Sequence, residues 1–201
     1  MLGGTFNPPT LGHLAIARHA RDQLGLERVV LMPAAAPPHK RVEEDPGPKA
    51  RLEMCELLVR GAEGLSACAL ELERDGPSYT VDTLRALHAR DQKTELTFIV
   101  GADVASTLPG WREPRELLRL ARLAVAARPG SDRGGVLGAV ASLGGEGRVS
   151  FLDAPLIDVS SSRARERVAA GEPIERLVGV DVAEYVAEHG FYGEPARAAS
   201  R

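Results

Sequence analysis

Short apolar runs rich in β-branched residues alternate with longer amphipathic stretches along most of this chain, and that alternation restricts the fold more than any other feature. A parallel sheet buries both faces of its strands and needs a covering helix between consecutive strands, so the pattern predicts an α/β architecture: a Rossmann-like, doubly wound parallel sheet with helices on both faces. Strands are expected at Arg28 to Met32, Ser66 to Leu70, Leu96 to Val100, Leu123 to Ala127 and Val149 to Leu152. Helices are expected at Leu11 to Leu24, Pro48 to Arg60, Thr80 to Ala89, Glu113 to Arg119, Ser162 to Ala170 and Val182 to Glu188. Pro37 to Pro48, with its prolines and the acidic run Glu43-Glu44-Asp45, reads as an exposed loop able to act as a flap. The glycine- and alanine-rich stretch from Gly134 to Gly147 is compatible with a short, poorly packed helix. Residues 1–192 are expected to form one domain, and 193–201 a frayed tail.

Bulk properties exclude several classes of function. The 201 residues are 44% hydrophobic, enough for a sizeable core. A net charge of -3 and a pI of about 6.0 give no general basic field, so a grip on polyanions must be local, and nucleic acid is not expected as a partner. Cys55 and Cys68, separated by twelve residues, form neither a CxxC pair nor a disulfide framework, as in a reducing compartment. No apolar run approaches the roughly 18 residues of a membrane span, and no charged-then-apolar leader opens the sequence. A cytoplasmic location follows as the expectation, with a homo-oligomer left open.

The chemistry concentrates in the first turn of the chain: Gly3-Gly4-Thr5-Phe6-Asn7-Pro8-Pro9-Thr10-Leu11-Gly12-His13, running straight into a helix. Two glycines let backbone amides approach a ligand, and a helix start offers unpaired N–H groups and a positive dipole end to phosphate. Thr10 and His13 are three apart, so both project from one face of the first helical turn. Taken alone, the string also fits a tight turn with Thr10 as helix cap and His13 at the surface. Towards the other end of the chain, Val159-Ser160-Ser161-Ser162-Arg163-Ala164-Arg165 places three serines at a helix start, with Arg165 three residues after Ser162. By itself that segment reads as a serine cap before a solvated basic helix.

Together, and in this order, the two strings resemble the paired signatures of the nucleotidylyltransferase superfamily of the HxGH type, Gly-Gly-x-Phe-Asp/Asn-Pro before His/Thr-x-Gly-His, then Ile-Ser-Ser-Thr-x-Ile-Arg. Further segments are similar to those of bacterial nicotinate mononucleotide adenylyltransferases: Pro37-Pro38-His39-Lys40, Ser78-Tyr79-Thr80-Val81-Asp82-Thr83-Leu84, Ile99-Val100-Gly101-Ala102-Asp103, Leu108-Pro109-Gly110-Trp111 and Ala126-Ala127-Arg128-Pro129-Gly130. The resemblance spans about residue 3 to residue 192.

What the resemblance implies is transfer of the adenylyl group of ATP to nicotinate mononucleotide, giving nicotinate adenine dinucleotide and pyrophosphate. The reaction is an in-line attack that needs no protein nucleophile, only positioning and charge stabilisation. Thr10, His13, Lys40, Ser161 and Arg165 are then the expected catalytic contacts. Gly3, Gly4, Thr5, Phe6, Asn7, Gly101, Asp103, Ser160 and Ser162 are expected at ATP. Ser78, Tyr79 and Thr80 are expected at the nicotinate carboxylate, with Trp111 stacking on the pyridine and Arg112 beside it. Mg²⁺ is expected to be held mainly by substrate phosphates, because no carboxylate cluster with metal-site spacing occurs. Two departures stand out. Thr10 takes the place of the family's more usual histidine, as in pantetheine phosphate adenylyltransferases, which form the alternative enzyme reading. Only Met1 and Leu2 precede Gly3, where the family has a whole strand, and this predicts that the natural chain begins upstream. It also keeps a non-catalytic nucleotide-binding protein as the reading from another class.

Overall fold

The computed structural model describes residues 1–38, 42–127, 130–153 and 158–193. Among these residues six strands form one sheet: β1 (Leu2–Gly4), β2 (Val29–Pro33), β3 (Leu65–Ala67), β4 (Leu96–Gly101), β5 (Ala121–Ala126) and β6 (Val149–Leu152). Their order is β3-β2-β1-β4-β5-β6 and every neighbouring pair is parallel. This is the doubly wound arrangement, with a topological switch point between β1 and β4 where the chain turns to opposite sides. The helices are α1 (Leu11–Leu24), α2 (Pro48–Val59), α3 (Thr80–Arg90), α4 (Ala102–Ala105), α5 (Pro114–Leu120), α6 (Arg133–Ala141), α7 (Ser161–Ala169), α8 (Glu175–Val178) and α9 (Val180–His189), with a 3₁₀ turn at Leu108–Gly110.

Alternation along the central strands sends side chains to both faces, as the near-continuous apolar runs require. Ile99 and Ala124 join Ala17, Met54, Leu58, Val178 and Val182 of α1, α2, α8 and α9 in one core. Phe98, Val100, Leu123 and Val125 join Leu84, Leu117, Val136 and Val140 of α3, α5 and α6 in the other. The glycine-rich stretch is therefore better packed than expected: Asp132 caps α6 by accepting from the Gly135 amide, and Val136 and Val140 are buried. Among the described residues no helix is long and apolar enough to cross a membrane.

One sequence expectation needs correction. The sheet centre is not left without its first strand, because the glycine turn itself supplies it. Leu2, Gly3 and Gly4 pair with Leu31, Met32 and Pro33 on one side, and Leu2 pairs with Ile99 on the other. The Met1 carbonyl accepts from the Ile99 amide at 2.8 Å. Glycine weakens strands in isolation, but here parallel neighbours on both sides fix the backbone. The absent side chains are what admit nearby rings: a Cβ on Gly3 would lie 3.2 Å from Phe98 Cε2, and one on Gly4 3.0 Å from Phe6 Cζ.

Candidate active site

A pocket of about 820 Å³ opens at the carboxyl edge of the sheet over the switch point, the place where doubly wound folds bind ligands. Gly3, Gly4 and Thr5 line it from β1 and its turn, and His13 from α1. Gly101 and Asp103 line it after β4, and Ser78, Tyr79 and Thr80 at the start of α3. Trp111 and Arg112 complete the far wall. Eleven of the expected site residues, drawn from between residues 3 and 112, thus share one cavity.

His13 sits at N3 of α1 and takes part in a reciprocal cap with Thr10, the N-cap. The Thr10 amide donates to His13 Nδ1 at 3.0 Å, and Thr10 Oγ1 lies 2.8 Å from the same nitrogen. An Nδ1 that accepts an amide proton must carry a lone pair, so the ring's own proton sits on Nε2, which is left as a donor. The ring is half-buried and meets Phe6 edge-on at 5.0 Å. Burial pushes its pKa down to about 4. His13 is therefore neutral at neutral pH and acts as an N–H donor rather than a cation. An unfolded histidine titrates near 6.5, about where model peptides do, so between about 6.5 and about 4 the unfolded chain binds the proton more readily and folding stability is lost as the pH is lowered through that window; above it His13 adds no pH dependence. An NMR titration of the free protein should find this ring titrating close to 4, and a midpoint near 6.5 would overturn the assignment.

The second signature packs on the back of the first instead of lining the pocket. Ser161 Oγ donates to the Pro8 carbonyl at 2.7 Å, and Ser160 Oγ caps α7 by accepting from the Arg163 amide at 3.1 Å. Ser162 is exposed. Arg165 Nη1 donates to the Asn7 carbonyl at 2.9 Å while its Nε pairs with Glu44 at 2.9 Å. Gly12 lets the two signatures touch, since a Cβ there would stand 3.0 Å from Val159 Cγ2. Asn7 is buried with both ends of its amide used, Nδ2 donating to the Glu43 carbonyl and Oδ1 accepting from the Tyr192 hydroxyl, each at 2.8 Å. Phe6 is buried against Gly4 and His13. Lys40 lies outside the described residues.

At the far wall, Trp111 Nε1 donates to Thr107 Oγ1 at 3.0 Å and its ring tilts against Phe98 at 6.1 Å. The Arg112 guanidinium lies over the Tyr79 ring at 4.7 Å and pairs with Asp82 at 3.5 Å and Glu113 at 3.8 Å. The N-cap of α3, Tyr79, supplies no side-chain cap, and Thr80 and Val81 at its first turn both line the pocket. Ser78 Oγ accepts from the Ala35 and Ala36 amides at 3.0 and 3.2 Å, so that side chain holds the turn after β2.

Two buried charged residues of the site region were not anticipated from the sequence. Arg51 is 0% exposed inside α2 and bonds to carbonyls of both the β1 and β2 turns. Its signal was present: residues 51, 54, 55 and 58 follow the spacing of one helix face, and the other three are apolar. Glu71 is buried and lines the pocket, and burial pushes its carboxyl pKa up against the hydroxyl bonds from Thr83 and Ser78. It sits in a turn with no periodicity to mark it.

Comparison with known proteins agrees with this geometry. The sequence model of the cytidylyltransferase-like family matches residues 1–167. A Tropheryma whipplei protein named "Probable nicotinate-nucleotide adenylyltransferase" is 36% identical over 95% of this chain and 97% of its own. One of the same name from Geobacillus kaustophilus is 40% identical over 96% of this chain and 85% of its own. The Plasmodium falciparum nicotinic acid mononucleotide adenylyltransferase, solved in complex with APC, shares the fold with a TM-score of 0.76 at 15% identity, over 95% of this chain and 94% of its own. The chain therefore belongs to the cytidylyltransferase-like family and, within it, to the nicotinate-nucleotide adenylyltransferases.

Proposed function

We propose that this chain transfers AMP from ATP to the phosphate of nicotinate mononucleotide, releasing pyrophosphate. The observation that carries the reading is a single switch-point pocket with the neutral His13 donor and glycine turn at one end, and Trp111 with the uncapped start of α3 at the other. Its volume of about 820 Å³ suits two nucleotides placed end to end across the crevice. A phosphate oxygen of the mononucleotide attacks the α-phosphorus of ATP in line, the bond to the β-phosphate oxygen breaks, and pyrophosphate leaves. His13 Nε2 donates to the phosphoryl oxygens as charge builds, and the glycine-turn amides hold them in place. Trp111 stacks on the pyridine, and the α3 start receives its carboxylate.

Among the described residues no group of three or more His, Cys, Asp or Glu side chains gathers to cage a metal. The lining carboxylates, Glu71 and Asp103, come from separate segments. This donor set suits Mg²⁺ carried by the substrate phosphates, where it would neutralise charge on ATP. Pyrophosphate release, assayed with ATP, Mg²⁺ and a panel of nicotinate mononucleotide, nicotinamide mononucleotide and phosphopantetheine, tests the reading. Release with phosphopantetheine instead, or ATP binding without release, would contradict it.

Arg165 reaches the polyphosphate in this reading only by exchanging Glu44, which now holds its Nε at 2.9 Å. Removing that competitor should tighten ATP binding. Glu44→Gln is expected to lower the Kd for ATP about two- to fivefold in calorimetry, the range for an ion pair with an exposed partner. Unchanged or weaker binding would show that Arg165 does not engage ATP.

A further inference from the structure

Ala34, Ala35 and Ala36 turn the chain at the carboxyl end of β2 and lead into Pro37 and Pro38, which line the pocket together with Ala34. Three alanines offer no polar side chain, so only their backbone can be held. Distant side chains hold it from both sides. Arg51 Nη1 donates to the Ala34 carbonyl at 2.7 Å and to the Thr5 carbonyl at 2.9 Å, and Nη2 donates to the Ala35 carbonyl at 3.3 Å. Its Nε pairs with Asp45 at 2.9 Å. On the other side, Ser78 Oγ accepts from the Ala35 and Ala36 amides, and the Ser78 amide donates to the Ala36 carbonyl at 2.8 Å. With its lone pairs taken by two amides, the Ser78 hydroxyl gives its proton to Glu71. Glu71 also accepts from Thr83 Oγ1 at 2.7 Å, whose oxygen accepts from Arg74 Nη2 at 2.6 Å. Each hydrogen bond in this chain thus runs one way and ends on the Glu71 carboxylate.

We propose that Arg51 is a positioning residue for the reaction, clamping the Ala34–Ala36 turn to the Thr5 turn and so setting the wall of the pocket that faces ATP. The proposal rests on the reading that the glycine-turn end of the pocket takes ATP. A buried guanidinium is costly unless its donors are used, and here it spends four N–H bonds on one carboxylate and three carbonyls from two loops. A residue kept only to fill the core would be apolar at that position. The planar fork matters as much as the charge, because a lysine ammonium is a single point and cannot span both turns. The opposite wall is held independently: Trp111 by Thr107, and Arg112 by Asp82 and Glu113.

Arg51→Lys, which keeps the charge and loses the fork, separates positioning from folding. Steady-state kinetics should show the KM for ATP rising about tenfold or more, with a fall in kcat of similar size, as sub-ångström to ångström displacements of a binding wall produce. The KM for the mononucleotide should stay within about threefold, since its wall is held elsewhere. A general loss of packing would instead lower Tm and move both KM values together. If Arg51→Lys fails to fold, Asp45→Ala removes the carboxylate that anchors the guanidinium, outside the pocket, and is expected to raise the KM for ATP in the same selective way. Calorimetric ATP binding is measured alongside, so that absence of turnover in the wild type would overturn the function while leaving the clamp testable. A KM and Kd for ATP within about twofold of wild type in a folded Arg51→Lys, or equal rises for both substrates, would overturn the proposal.

Discussion

His13→Ala is expected to lower turnover by about two to three orders of magnitude, the usual consequence of losing one preorganised donor to a developing phosphoryl charge. The expectation comes from the hydrogen-bond geometry: Nδ1 is occupied by the Thr10 amide, so Nε2 must carry the proton at the pocket end of the ring. It comes equally from burial, which pushes the pKa down to about 4 and keeps the donor neutral. The same geometry predicts a cost in stability. His13 closes the reciprocal cap of α1 and packs edge-on against Phe6, so alanine should remove about 0.5–2 kcal/mol and lower Tm by a few degrees. Glutamine, a preferred partner at N3 of such a cap, separates the two effects. His13→Gln should regain most of the lost Tm while turnover stays depressed. Rapid-quench or coupled kinetics with parallel thermal unfolding makes the comparison, and turnover of His13→Ala within a few-fold of wild type would refute the donor role.

The acid, nicotinate mononucleotide, should be used in preference to the amide, nicotinamide mononucleotide. The two differ only at the pyridine substituent, so selection depends on what surrounds that group, which in the proposed placement, with the ring against Trp111, is the start of α3. The start of α3 is built for an acceptor: Tyr79 gives it no side-chain cap, and Thr80 and Val81 face the pocket. A carboxylate accepts from such N–H groups through either oxygen, whereas an amide nitrogen turned towards them sets donor against donor. The helix dipole favours the anion by about 0.3–2 kcal/mol and an unpaired buried donor costs roughly 1–3 kcal/mol, so kcat/KM should differ by about tenfold to a few thousandfold. Arg112 contributes little to this difference. Its guanidinium lies over Tyr79, pairs with Asp82 and Glu113, and its side chain is 50% exposed, where solvent screens its charge. Comparing kcat/KM for the two mononucleotides at saturating ATP decides the matter. Equal values or a preference for the amide would show that the α3 start does not read the substituent.

The amino-acid sequence by itself determined the longer helices, the alternation of strand and helix, and the chemistry of the two signatures, but not the four-residue helices α4 and α8. Those features are written locally: α1 runs from its Thr10 cap to Gly25, whose positive φ of 62° stops it, within the span that its periodicity marks. Most boundaries moved by a residue or two, as at α7 and β5, and β3 ends three residues before the expected Leu70, because fraying and pairing rather than composition choose the last residue. The strand β1 could not be read, because a three-residue segment with two glycines has no strand pattern and becomes one only between β2 and β4. The meeting of residues 3–5, 13, 78–80, 101, 103 and 111–112 around one pocket was implied by resemblance, but the geometry that does it is set by the sheet order. Only the tertiary structure showed that Ser161 and Asn7 have their side chains bonded to groups far away in the sequence, and that Arg51 on an apolar helix face holds two turns. The physical reason is range. Periodicity and capping are interactions between near neighbours in sequence, whereas a hydrogen bond from Arg165 to the Asn7 carbonyl crosses 158 residues and is decided by how the whole sheet brings its edges together.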